Sequence, residues 1–240
     1  MHGVTRRGTL LFGWTLALLA IAGFARLGAW QYGRMHEKAA LLASAAEVLA
    51  NKRPVPLGGD VRPDLPAWVD AQGRVLAPTL LLDNQMREGR AGVRVFCLVD
   101  VQGTARLVDF GWVEMPRDRT PPQAATCRPG ATHVRGLLTA PPSSGVAMGP
   151  ALQSVASGRW LMTRVDDDAI RTATGIALPW PHVVRLDPAL PGGYARDLDI
   201  LPNTLPPERH LGYAVQWWAL ACAVLVTALI LTFRKRKPRA

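Results

Sequence analysis

The sequence predicts a membrane protein in which two transmembrane helices flank a mainly β (α+β) extracytoplasmic domain. Three observations carry that prediction: an apolar run near each end, basic residues outside each run, and a middle rich in β-branched residues, Pro and Gly. The predicted organisation is a cytoplasmic N-terminus over 1–8, a first span over 9–30, a mainly β domain over 31–209, a second span over 210–233 and a basic cytoplasmic tail over 234–240.

The first run, TLLFGWTLALLAIAGFARLG over 9–28, carries Arg26 as its only charge and is long enough to cross a hydrocarbon core of roughly 30 Å. Ala20-Ile21-Ala22 offers a small-residue cleavage site. The run continues past it and exceeds a typical signal-peptide core, so an uncleaved anchor is expected. Arg6-Arg7 reads as a topology signal, because the residues expected around a twin-arginine export motif are missing. The following GAWQYGRMHEKAALLASAAEVLA is rich in strong helix formers and spaces Trp30, Arg34, Lys38 and Leu41 by three or four. The first helix should therefore run on without a break and end before Asn51.

Next, NKRPVPLGGDVRPDLP is dense in Pro and Gly and reads as a loop. Strand candidates follow at LAPTLLLDN, and at two apolar runs in VRVFCLVDVQGTARLVDFGWVEM that turn at Gln102-Gly103. HVRGLLTA, GRWLMTRV and HVVRLD are shorter candidates. A helix is expected at DDDAIRTATG, with Asp167 or Asp168 capping its first amides and Gly175 closing its end. No internal repeat is present. The second run, LGYAVQWWALACAVLVTALILTF over 211–233, has no charge at all.

The net charge of +10 would suit nucleic acid if it were spread over one surface. Instead Arg6, Arg7 and RKRKPR at 234–239 account for +7 of the net +10. Basic flanks stay in the cytoplasm, so both termini belong there, the central domain faces the other side, and the bilayer rather than nucleic acid is the expected partner.

Candidate sites for chemistry are few. Cys222 lies in the second run, while Cys97 and Cys127 read equally as buried thiols or as a disulfide in an oxidising compartment. The triplet Asp166 to Asp168 lacks calcium-loop spacing and reads as helix-start charge. No nucleophile elbow, HExxH or phosphate loop occurs. Ser143-Ser144 has no obvious histidine partner, and His133 and His182 sit at strand starts, so nothing asks for an enzyme. The start of the second span is different. On a helix, His210, Tyr213, Ala214 and Trp217 share a stripe, with Gln216 nearby. Tyr and Trp anchor spans on structural grounds alone, whereas an interfacial imidazole is also a suitable ligand for haem iron. The first helix carries Trp30 and Arg34 to the same depth. A haem placed there would have its iron on His210, its ring on aromatic surface and its propionates near Arg34.

These residues also carry a family resemblance. LGAWQYGRMHEK at 27–38 is similar to an LGxWQxxRxxxK pattern, LLLDNQMREGRAGVRVF with LVDFGWVEM resembles a central D-N and G-W-V segment, and HLGYAVQWWALA is similar to an HxxYAxxW start of a second span. Together they resemble the Surfeit locus protein 1 family of cytochrome c oxidase assembly factors over nearly the whole chain. The resemblance implies a protein of the bacterial plasma membrane with a periplasmic domain. Its partner would be the cytochrome c oxidase catalytic subunit, with haem a synthase and other assembly factors as further candidates. It also implies transient binding of haem a, with His210 at the position of the proposed iron ligand. Roles for Trp30, Arg34, Tyr213 and Trp217 as haem contacts rest on depth, not on the family. The chain departs from the family's common residues at Glu208-Arg209 and at Asp109-Phe110.

The leading expectation is thus a non-enzymatic assembly factor that holds haem a by His210 for insertion into an oxidase. The alternative is a membrane scaffold that binds oxidase subunits or other assembly factors without haem. A third class, an extracytoplasmic enzyme or sensor, would need a pocket of convergent titratable groups.

Overall fold

Two helices that the sequence places at opposite ends of the chain lie side by side in the computed structural model, which describes residues 6–57, 63–143, 149–179, 182–201 and 204–234. The N-terminal five residues, positions 58–62 of the Pro/Gly-rich loop, Ser144 and the tail beyond Arg234 lie outside the described residues. The chain forms two compact units, Met1–Leu41 with Leu205–Ala240, and Leu42–Thr204.

In the helical unit, α1 (Arg6–Asn51) is one unbroken helix of 46 residues, reaching Asn51 itself rather than stopping before it. The second helix, α3 as numbered along the chain (Pro207–Phe233), starts with Pro at a first-turn position, where its missing N–H costs nothing. Both are long and apolar enough to cross a membrane, and only 6% and 11% of their most apolar windows are buried, unlike a core helix of a soluble protein. They pair antiparallel: Trp14 Nε1 donates to Thr232 Oγ1 at 3.0 Å, Phe24 stacks on Trp217 at 5.6 Å, and Gln31 meets His210. The buried and half-buried positions along the seam include Leu10, Trp14, Ala17, Ile21, Phe24, Gly28, Gln31 and Met35 on α1, against His210, Ala214, Trp217, Ala221, Val224 and Ala228 on α3. Steps of three and four alternate along both seams. That 3.5-residue period is the one that keeps two right-handed helices in contact through a left-handed supercoil. Small residues let the helices approach closely. At Gly28 a methyl group would overlap the Trp218 ring, so this step of the seam requires glycine.

The second unit is built on β1 (Pro54–Val55), β2 (Ala67–Arg87), β3 (Arg90–Val101), β4 (Thr104–Glu114), β5 (Gly130–Thr139), β6 (Leu152–Ala156), β7 (Arg159–Met162), α2 (Asp167–Thr174) and β8 (Val183–Leu186). The turn at Gln102-Gly103 joins β3 to β4 as expected, and all the shorter strand candidates form. The strand order β3-β4-β8-β5-β2 closes on itself through a further β2–β3 pairing, which makes a five-stranded barrel. Neighbours are antiparallel except β4 and β8. Counting only these strands in chain order, the circuit runs 1-2-3-5-4-1, the Greek-key arrangement of OB-type barrels.

The strand expected only around LAPTLLLDN is 21 residues long. Its first half pairs with β5 and its second with β7, and the register against β3 shifts between Val75 and Thr79, around Pro78. Proline has no ladder N–H, so it sits where pairing already breaks, and the bend there lets one strand serve two neighbours.

Two apolar clusters explain the pattern of the sequence. Val69, Leu81, Val95, Cys97, Val99, Val108, Val134 and Val184 come from all five barrel strands and fill the interior. Leu80, Phe96, Leu98, Leu107 and Val183 lie on the opposite faces of their strands, covered by Met162 and by Ile170 of α2. Because β3 is buried on both faces, it reads as a continuous apolar run instead of alternating.

The same outer face carries a buried ionic cluster. Arg94 donates to Asp109 at 2.8 Å and to both oxygens of Asp197 at 2.9 and 3.0 Å, while Arg185 donates to Asp197 at 2.9 Å. Burial tends to raise the Asp197 carboxyl, but Arg94 and then Arg185 outweigh it and hold the group below the ordinary carboxylate range. Burial and the charge of Arg94 push Arg185 down, against the pull of Asp109 and Asp197. The cluster fastens the segment around Ala195 to β4, where Trp112 N donates to Ala195 O at 2.7 Å.

The cap of α2 differs from expectation by one or two residues. Asp166 has extended backbone (φ −143°, ψ 107°) and its carboxylate accepts from Ala169 N at 3.0 Å, whereas Asp167 and Asp168 are already helical. A capping side chain must stand just outside the helix to reach back to its free amides. Gly175 closes the helix in the left-handed region as expected.

Candidate functional site

The residues proposed from the sequence lie mostly in the helical unit. His210 occupies the first turns of α3 and is 8% exposed, held inward by the seam that also buries Ala214. Its Nδ1 lies 2.7 Å from Gln31 Oε1 on α1. With that amide oxygen as acceptor, Nδ1 carries the proton and Nε2 keeps its lone pair. Nε2 is buried and has no hydrogen-bond partner among the described residues. Among the described residues no group of three or more His, Cys, Asp or Glu could hold a metal ion.

Around this pair the aromatic residues divide. Trp217 stacks on Phe24 within the seam, at an interplanar angle of 24°. Tyr32 packs between His36, edge to face at 4.5 Å, and Trp218 at 5.8 Å. Tyr213 and Trp30 are 40% and 57% exposed and turn away from the seam. Arg34 donates to Glu37 at 2.5 Å on the helix surface, yet Arg34 and Lys38 both lie within electrostatic reach of the His210 ring. Lys38 also donates to Leu205 O at 2.5 Å, which ties α1 to the chain just before α3. The structure therefore brings His210, Gln31 and two cations together and leaves Trp30 and Tyr213 as exposed flanking rings. Gln31 was a motif match with no assigned role. The signal for it is the seam spacing 24, 28, 31, 35, which becomes legible only once its partner helix is known.

Elsewhere the other candidates take structural roles. His133 Nε2 lies 2.6 Å from Asp70 Oδ1 on the neighbouring strand. Asp168 pairs with Arg171 at 2.7 Å and Asp166 caps its helix. Cys97 and Cys127 form a disulfide, which pins the loop after β4 to the barrel, while Cys222 is free. In the central motif, Trp112 Nε1 donates to Gln85 O at 2.7 Å and its ring lies over Gly92, where a methyl group would overlap it. That tryptophan braces the β2–β3 hairpin end against β4.

A family model of the SURF1 family matches residues 18–222. The chain belongs to the SURF1 family. SURF1 proteins are generally known as cytochrome oxidase assembly factors, a family of helpers rather than catalysts. The matched region runs from within α1 into α3 and includes His210, Gln31 and the whole barrel. A search of curated proteins finds no significant match.

Proposed function

We propose that this SURF1 protein is a two-span assembly factor that receives haem a and holds it through His210 Nε2 until it enters the oxidase catalytic subunit. One observation carries the reading: a buried imidazole whose Nδ1 is tied to Gln31 and whose Nε2 has no partner among the described residues. A buried polar atom without a partner is costly and uncommon, and an iron ligand would relieve it. The bond from Nδ1 fixes the ring's tautomer and orientation, as in metal sites where the second ring nitrogen is always accounted for. Arg34 and Lys38 suit the carboxylates of a haem. A single histidine also suits delivery, because a cargo held by many ligands is released slowly.

The same reading sets α1 and α3 across the bacterial plasma membrane with both termini cytoplasmic and the barrel in the periplasm. Basic ends favour the cytoplasm, and the Cys97–Cys127 disulfide favours an oxidising compartment for the barrel.

The test is to purify the full chain in mild detergent from cells that make haem a and to record reduced-minus-oxidised spectra for wild type and His210→Ala. A haem a spectrum lost in the variant, with membrane insertion retained, is the expected result. A colourless wild type that still pulls down oxidase subunits would replace haem delivery with the scaffold reading.

A further inference from the structure

At the far end of the helix pair from His210, the two seams part around a cavity of about 830 Å³, within the range typical of ligand pockets. Its walls are apolar or small, with Leu10, Ala17, Val224 and Leu231 among them, and its rim carries Thr9, Thr232 and Arg234. Trp14 closes one side and is anchored by its hydrogen bond to Thr232. The cavity thus combines an apolar trough with one cationic end. Arg7 stands in the first turn of α1, at the same end of the antiparallel pair, and the sequence continues past Arg234 as KRKPR. No Asp or Glu occurs in residues 1–36 or 209–240, so neither helix end supplies a carboxylate to neutralise these charges.

We infer that this cavity binds one anionic phospholipid, with an acyl chain in the trough and the phosphate at Arg234. The inference rests on the proposed membrane insertion with this end at the cytoplasmic leaflet, where anionic lipids give the surface its negative charge. An apolar trough ending in an uncompensated cation matches a lipid in both parts. A second copy of either helix would fill the trough but would bring no Asp or Glu to Arg234, and a free phosphate would leave the trough without an apolar occupant. Basic pockets between spans on that side are recurrent lipid headgroup sites.

The experiment uses the full chain in detergent mixed with phosphatidylglycerol or phosphatidylcholine and counts retained lipids by native mass spectrometry, after alkaline carbonate extraction of the source membranes. Wild type should retain one phosphatidylglycerol in preference to phosphatidylcholine. Arg234→Gln should weaken that preference about fivefold, the effect of one cation near an anionic headgroup. Ala223→Leu, which fills the trough, should lower retention of both lipids, and Gly13→Leu provides an independent filling variant should the first disturb folding. Equal retention of the two lipids by wild type would overturn the inference. So would a preference that survives Arg234→Gln but vanishes on removal of residues 235–240, or a two-chain mass that excludes lipid. If carbonate releases the protein, the membrane reading itself falls; if it stays inserted without lipid preference, only this inference does.

Discussion

Replacing Asp109 by Ala is the sharpest test of how the barrel is held together. Asp109, Arg94 and Arg185 expose 3%, 6% and 5% of their side chains, so water cannot replace a lost partner. Asp109 accepts from Arg94 at 2.8 Å and from Gly111 N at 2.9 Å, and Arg185 lies 3.8 Å away. Truncation leaves two guanidinium groups with Asp197 as their remaining close carboxylate. Breaking a buried pair on one side typically costs about 3–5 kcal/mol. For a domain of this size that corresponds to a fall in Tm of roughly 6–20 °C. The control is Glu114→Ala, which removes an ion pair to Arg90 with both side chains more than half exposed and should cost no more than about 1 kcal/mol. Asp109→Asn should fall between them, since an amide oxygen can still accept from Gly111 but brings no charge to Arg94. The assay is thermal unfolding of the full chain in detergent, followed by near-ultraviolet circular dichroism with the disulfide intact. If Asp109→Ala lowers Tm no more than Glu114→Ala, the cost of uncompensated buried charge has been misjudged and the cluster is not what fastens the segment around Ala195.

Other consequences follow from the same geometry. Gln31→Leu should preserve insertion but weaken haem retention by about 10–100-fold, the usual cost of losing the group that orients a ligating histidine, read by haem titration of the purified protein. Gly92→Ala should lower Tm by overpacking Trp112, at a cost of about 1–3 kcal/mol, while Gly89→Ala, at a turn where a methyl group meets open space but φ is +76°, would report backbone strain alone. Because the Asp197 carboxyl is held low in the folded chain, its stabilisation should be complete above its unfolded value of about 4 and should disappear as pH falls through its lower folded value. Tm measured from pH 7 to pH 2 should therefore show a gap between wild type and Asp197→Asn that closes only at the acidic end.

Much of the layout was legible because it depends on local pattern. Apolar runs without charge announce long helices, and Gly175 and Gln102-Gly103 mark ends and turns through backbone preference alone. The N-cap of α2 was misassigned between three adjacent aspartates, since identical side chains differ there only in which one has left the helix. The long β2 was read as less than half its length, because its first half, Ala67–Val75, has a weak local strand pattern and becomes strand only once β5 pairs with it.

By itself the sequence determined two apolar helices at the ends, a strand-rich middle, the family, and the histidine at the start of the second helix. Each follows from composition or from residues close in the chain. Tertiary structure decided which histidine nitrogen Gln31 holds and which is left without a partner among the described residues, that Cys97 meets Cys127, and that Arg94, Asp109, Arg185 and Asp197 share one buried cluster. Those pairings join residues up to 179 positions apart. No local preference encodes such a contact; it exists only once burial of the seam and closure of the barrel have brought the partners within hydrogen-bonding distance.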